Sequence, residues 1–202
     1  MPDAVLTHPD NAEPVEFTRA ELGWVPWRAP LPEAEFTKRH YDGLVDRGRA
    51  KSPYFALLAR DPEVLGARTR TDKDIFYNTD GGLPRAEREL AATTVSRLNS
   101  CIFCASVHAR FAAHHAKAPE DVDALLAGGV ATRTSPRWDA VVDAAAALTR
   151  TPSAFGPDEI RALRATGLAD DEIADLIFAA AFFNWAKRLK LSIGKPTPPT
   201  AG

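Results

Sequence analysis

Six prolines mark where this chain can begin a helix. Pro53, Pro62, Pro84, Pro119, Pro136 and Pro157 each stand at or near the head of a stretch with apolar residues at helical spacing. In a first helical turn proline sacrifices no hydrogen bond, and its fixed φ is already helical. Ser52, Asp61 and Ser135 precede three of these prolines as capping residues. The expected helices cover residues 33–45, a short stretch from 53, the stretch from 62 to the turn near 78–82, 83–98, 101–117, 119–128, the stretch from 136 through Leu148, 157 to about 167, and 170–191. No stretch reads as a β-strand. The fold class is therefore all-α, a helical bundle over residues 33–194. An irregular, proline-broken arm (1–32) precedes it, and a tail expected to be disordered (195–202) follows. Phe17, Leu22, Trp24, Val25 and Trp27 are too apolar for a free arm, and are expected to pack on the domain or reach a neighbouring subunit.

The chemistry concentrates in one of these helices. Ser100-Cys101-Ile102-Phe103-Cys104-Ala105-Ser106-Val107-His108 contains both cysteines of the chain. Asn99 and Ser100 read as capping residues, and neither Gly nor Pro follows until Pro119. At about 100° per residue, Cys101, Cys104 and His108 share one stripe. Thiols in the first turn meet unpaired backbone N–H groups and the positive end of the helix dipole, which favour thiolate. His108, one turn beyond Cys104, is placed to take or return a proton of that sulfur. A nucleophilic thiolate with a second thiol in reach is what thiol–disulfide or peroxide chemistry requires.

Glu89 adds a carboxylate. If the helices before and after Asn99-Ser100 run antiparallel, Glu89 and His108 lie at similar heights, roughly 13 Å and roughly 12 Å from the turn. Glu89 could then orient the imidazole and stabilise its charged form. By spacing alone, a Glu in this position is more often a solvated surface acid. Glu87 points about 200° away around the helix and cannot share the role.

Composition narrows the setting. A net charge of −2 gives no electrostatic case for nucleic acid or an anionic membrane. The longest apolar run, residues 176–183, is far short of the ~20 residues of a membrane span. A helix with such a centre is expected to be buried on every side, between helices or between subunits. The N-terminus has no basic region followed by an apolar one, and a cytoplasmic location is expected. In a reducing compartment a lone CxxC is more often catalytic, redox-active or metal-binding than a structural staple. Cys101, Cys104 and His108 would give zinc three ligands where a structural site wants four. His114 and His115 fall off the stripe and are expected to face solvent. No metal or cofactor is expected.

The pattern Glu89, Cys101-Ile102-Phe103-Cys104, His108 resembles the alkylhydroperoxidase-like proteins related to carboxymuconolactone decarboxylase, whose signature is a Glu, a Cys-x-x-Cys and a His four residues later. Arg85-Ala86-Glu87-Arg88-Glu89-Leu90, the Asn99-Ser100-Cys101 turn and Gly167-Leu168-Ala169-Asp170-Asp171-Glu172-Ile173 extend the likeness over residues 55–194. The arm, with Leu22-Gly23-Trp24-Val25-Pro26-Trp27, is similar to the longer peroxidase-related branch. The resemblance implies an all-α fold, assembly into trimers or hexamers, and reduction of hydroperoxides. It implies that Cys104 attacks and becomes a sulfenic acid, that Cys101 resolves it as a Cys101–Cys104 disulfide, and that His108 and Glu89 relay protons. An unidentified dithiol would regenerate the protein. Well-characterised members carry a histidine before the second cysteine, where this chain has Phe103. That departure leaves open weak peroxidase activity, or another oxidant or disulfide as substrate. The competing readings are a general disulfide oxidoreductase, a non-catalytic redox-sensing oligomer and a lactone decarboxylase; relatives of the last kind generally lack the cysteine pair.

Overall fold

The computed structural model describes residues 5–80 and 82–199. Residues 1–4 of the arm, Gly81 of the expected glycine turn and residues 200–202 of the expected tail lie outside the described residues.

Nine α-helices form the described chain: α1 (Lys38–Leu44), α2 (Pro53–Leu58), α3 (Pro62–Tyr77), α4 (Arg85–Leu98), α5 (Ile102–Ala116), α6 (Pro119–Gly128), α7 (Pro136–Thr149), α8 (Pro157–Ala165) and α9 (Asp170–Ile193). The all-α class holds. Pro53, Pro62, Pro119, Pro136 and Pro157 occupy the first helical position, and Pro84 sits one residue earlier as the cap of α4. Asp61 and Ser135 accept hydrogen bonds from Val64 N and Trp138 N, closing two of these starts. The helix expected over 33–45 is broken instead. A 3-10 turn (Glu33–Glu35) ends at Phe36, and Thr37 begins α1 with His40 Nδ1 accepting from its backbone N–H at 2.9 Å. This local side-chain acceptor competes with a continuous helix.

Helix α4 is the centre, packed by α5, α7 and α9. Every residue from Glu87 to Ser96 is buried. Thr93 and Thr94 donate to the carbonyls of Glu89 and Leu90, and Ser96 donates to Ala92 O, so these hydroxyls enter the core satisfied. Glu87 is held by Arg137 at 2.7 and 2.9 Å, and Arg137 also reaches Glu172 at 2.9 Å. The core around α4 includes Leu83, Leu90, Val95, Val141, Leu163, Leu176 and Phe183. The apolar stretch of α9 was expected to be enclosed all round, and within the chain it is not. Leu176, Ala179, Ala180 and Phe183 are buried, whereas Phe178 is 62% and Trp185 44% exposed. A helix has only as many covered faces as neighbours, and α9 lies at the edge of the bundle while the charged helix α4 lies inside it.

The tail also departs from expectation. Gly194–Thr197 forms a strand, β2, antiparallel to β1 (Gly23–Pro26) of the arm, with Trp24 opposite Pro196 and Pro26 opposite Gly194. Two strands make a ribbon in which each keeps an open edge, so the prolines are tolerated. The arm is tied down along its length. Trp27 N donates to Ile193 O, Asn11 Nδ2 donates to Pro196 O at 2.9 Å, and Arg19 pairs with Asp123. Leu22 is buried, and Phe17 packs against the Ala105–Ala109–Val122 cluster. The pairing is long-range, and neither short, Pro- and Gly-containing strand carries an alternating pattern that sequence reading can detect.

Gly194 lies where a Cβ would overlap the Trp24 ring and Val25 O. Gly194→Ala is therefore expected to part the ribbon at a cost of about 1–3 kcal/mol. A melting temperature lowered by several degrees, with a changed tryptophan emission, checks this; an unchanged melt refutes it.

Candidate active site

Helix α4 ends in a tight turn that places the first cysteine. Ser100 adopts the left-handed conformation (φ 56), and Cys101 N donates to Ser96 O at 2.9 Å, a six-to-one bond that terminates α4. Cys101 is itself the N-cap of α5, in place of the caps expected at Asn99 or Ser100. The left-handed Ser100 uses up the turn, so helical geometry can start only after Cys101. Asn99 Nδ2 ties the turn to α9 through Asn184 Oδ1 at 3.0 Å.

The four residues singled out in the sequence lie together in the interior. Cys101 and Cys104 are free, buried and within 2.9 Å of each other. Cys104 and His108 line one cavity of about 270 Å³. His108 Nδ1 lies 2.7 Å from Glu89 Oε2, across the α4–α5 interface. Glu89 is 1% exposed, and its other oxygen accepts from Arg85 Nε and Nη2 at 3.1 and 3.0 Å. The imidazole stacks on Phe76 and meets Phe183 edge-on, with ring centroids 5.4 and 4.2 Å apart. His114 and His115 are exposed. Among the described residues, no three His, Cys, Asp or Glu side chains are grouped to hold a metal ion, and no helix is long and apolar enough to cross a membrane.

Sequence reading missed the cations. Lys187 on α9 is fully buried, its Nζ has no hydrogen-bond partner, and it lies 3.8 Å from the Phe183 ring centre. Lys190, one turn on, sits 3.8 Å from the ring centres of both Tyr54 and Phe103 and 4.7 Å from that of Trp24. Aromatic faces partly replace the lost hydration of such an ammonium. Phe103, where the resemblance carries a histidine, thus supplies one wall of a cation box. Arg68 of α3 and Asp72 also line the cavity. The Lys187-x-x-Lys190 spacing, which puts two cations on one stripe of α9, was the available signal.

These charges separate the two thiols. Donation from the Cys101 thiol, then the charges of Lys187, Lys190 and Arg68, lower Cys104 to about 6 against the burial that opposes them. Cys101 is pushed far up, first as the hydrogen-bond donor to Cys104 and then by burial. His108 is held well below its ordinary value, chiefly by burial and then by the Lys187 charge. Burial raises Glu89 to about 7, against the charge and hydrogen bonds of Arg85. Lys190 is lowered to about 8 by burial. At neutral pH the site therefore holds a Cys104 thiolate, a Cys101 thiol and an uncharged imidazole. Lysines rather than an imidazolium provide the counter-charge.

The fold and site define a class: an all-α protein with a buried, cation-flanked dithiol whose sulfurs lie beside a carboxylate–imidazole pair. Residues 62–147 match the model of the carboxymuconolactone decarboxylase family. The chain as a whole has the alkylhydroperoxidase-like fold. It is 25% identical over 118 residues to the uncharacterized protein YdfG of Bacillus subtilis (strain 168), covering 58% of this chain and 80% of that one. Its structure is similar to the alkylhydroperoxidase core of an uncharacterized peroxidase-related protein from Ralstonia eutropha JMP134, with TM-score 0.69 and 24% identity over 81% of this chain and 88% of that one. An uncharacterized peroxidase-related protein from Silicibacter sp. TM1040 matches with TM-score 0.65 and 22% identity over 93% of this chain and 92% of that one.

Thiolate absorbance at 240 nm in the reduced protein is expected to titrate with a midpoint near pH 6, where Cys104 is placed. Lys187→Met should move that midpoint upward by on the order of one pH unit, because it removes the buried counter-charge. A wild-type midpoint above pH 8 would contradict this account.

Proposed function

We propose that the protein is a thiol-dependent peroxidase that reduces hydroperoxides through a Cys101–Cys104 redox dithiol. The observation that carries the proposal is the pair of free sulfurs, one acidic and one donating to it, with Cys104 on the wall of a cavity that His108 also lines. The Cys104 thiolate attacks the outer oxygen of R–OOH, the O–O bond breaks, and R–O⁻ leaves to take up a proton as R–OH. Cys104 becomes a sulfenic acid. The Cys101 sulfur then gives up its proton and attacks Cys104 Sγ, hydroxide leaves as water, and the disulfide forms. Over the cycle the hydroperoxide gains two electrons and two protons, and the dithiol loses them. A dithiol reductant, unidentified here, closes the cycle by exchange.

Proton movement falls to the His108–Glu89 pair. When the Glu89 carboxylate is ionised it accepts from Nδ1–H, leaving Nε2 as a base. When Glu89 is protonated it donates to Nδ1, and the opposite ring nitrogen carries the proton. From the second state, Nε2 can release its proton as Nδ1 takes that of Glu89, a coupled transfer that needs no charged imidazolium. That is the economical route in a site already holding three cations. Assembly into a trimer or hexamer is part of the same reading; it is supported by the apolar face of α9 around Phe178 and Trp185, open in the single chain. Light scattering of the purified chain tests it.

A general disulfide oxidoreductase would use the same sulfurs. It is the weaker reading because Cys101 is 1% exposed and Cys104 only 9% exposed, and the cavity admits small molecules rather than a protein disulfide.

Stopped-flow mixing of the reduced protein with hydrogen peroxide and cumene hydroperoxide should consume two thiols per chain, recoverable with dithiothreitol. Cys104→Ser is expected to abolish this reaction. Cys101→Ser should stop at a sulfenic acid that dimedone traps, and His108→Ala should slow attack roughly a hundredfold. Unaltered thiol loss in Cys104→Ser would reverse the assigned roles.

A further inference from the structure

The cavity beside Cys104 has more positive charge than the dithiol needs. Arg68 projects from α3 into its wall, with a side chain 8% exposed. Its Nε and Nη1 are buried and make no hydrogen bond. The nearest carboxylate oxygen, Asp72 Oδ2, stands 3.4 Å from Nη1 in an ion pair, and the same oxygen is shared with Arg49 Nη2 at 3.7 Å. Arg49 Nη1 likewise has no hydrogen-bond partner. Three cations, Arg49, Arg68 and Lys190, thus face two anions, Asp72 and the Cys104 thiolate, with Lys187 behind them. Once Cys104 is a neutral sulfenic acid or a disulfide, only Asp72 remains against them. The guanidinium lies among the rings of Tyr54, Phe55 and Phe182, interacts with the Tyr54 hydroxyl and with Asp72, and keeps buried Nε and Nη1 donors without a hydrogen bond, so it can take a further acceptor.

The rest of the wall states what that acceptor is attached to. Tyr54, Phe55, Phe103, Phe183, Val107 and Ala186 give the cavity an apolar and largely aromatic lining. A volume of about 270 Å³ suits one substituted ring or a short branched chain. Arginine's planar fork is matched by a carboxylate, which can accept two parallel N–H bonds.

We propose that this cavity is a binding site for a small organic carboxylate with a ring or short apolar body, its carboxylate on Arg68 and its body against the aromatic wall. Resting on the peroxidase reading, the extension is that the preferred oxidant is an organic hydroperoxide bearing such a carboxylate, with its O–O group presented to Cys104. The electron balance is that of the cycle above, and the carboxylate is unchanged in the product alcohol. Arg68 then acts in specificity, and the missing histidine at Phe103 matters less because the substrate is oriented by its own charge.

The test separates the site from the chemistry. Binding of 4-fluorobenzoate to the reduced full-length protein is followed by fluorine NMR, with 4-fluorobenzyl alcohol as the neutral control. The acid is expected to bind and the alcohol not. Arg68→Met should weaken the acid at least about tenfold, and Arg68→Lys, which keeps the charge but not the fork, should fall between. Bound 4-fluorobenzoate should also slow alkylation of Cys104 by iodoacetamide in the wild type, a readout independent of any variant's folding. Equal binding of acid and alcohol, or undiminished protection and affinity in Arg68→Met, overturns the proposal. For the extension, the rate constant for 4-carboxycumene hydroperoxide is divided by that for cumene hydroperoxide. The ratio should exceed ten in the wild type and fall toward one in Arg68→Met. Carboxylate binding without reaction of any hydroperoxide would leave the site standing and remove the peroxidase reading. Hydroperoxide reduction with a wild-type ratio near one and no carboxylate binding would do the reverse.

Discussion

The close packing of α4 on α5 is the constraint on which the rest of the molecule depends. Both helices carry small side chains inaccessible to solvent, Ala91 and Ala92 on one and Ala105, Ala109 and Ala112 on the other. Small residues let the backbones approach, and that approach brings a carboxylate and an imidazole from opposite helices to 2.7 Å in the interior. An ionisable pair so placed is tolerated only because each partner is further satisfied. Arg85 supplies Glu89 with two donors, and the ring of His108 stacks on Phe76 and meets Phe183 edge-on. The left-handed turn at Ser100 belongs to the same arrangement. It ends α4 and starts α5 within three residues, which places one sulfur at the cap of a helix and the other in its first turn.

Two kinds of electrostatics then divide the labour. Burial pushes the carboxyl and the imidazole toward their neutral forms. Donation from the Cys101 thiol, and then charge from α9 and α3, push Cys104 toward its ionised form. Histidine-assisted ionisation of the thiol would be the simpler account of a CxxC with a following histidine. The buried lysines change it. An imidazolium beside Lys187 would place two cations in one apolar compartment, so the ring is kept for proton transfer and the lysines for charge. The arm has a part here too. Trp24 of β1 forms one face of the box around Lys190, and β2 holds Trp24 in register, so residues at the two ends of the chain shape the environment of a central sulfur.

The departures from sequence expectation share a cause. Periodicity treats an apolar helix as interior and a charged one as surface. Here α4 carries Glu87, Arg88 and Glu89 inside because each meets a partner from elsewhere in the chain, and α9 keeps Phe178 and Trp185 outside because no helix of the same chain covers that face. The ribbon of β1 and β2 escaped notice because each strand has only four residues and contains a proline.

The sequence by itself determined the helical class, through prolines at the heads of stretches with helical periodicity, and the grouping of Cys101, Cys104 and His108, through their spacing at the start of one helix. Those are local properties, written within one or two turns. Tertiary structure alone decided that Glu89 is a buried partner rather than a surface acid, that Lys187, Lys190 and Arg68 converge on the sulfurs from two other helices, and that a cavity opens beside Cys104. Each of these depends on where distant segments cross, and the energy of burying a charge is set by the partner it meets there, which residue spacing does not encode.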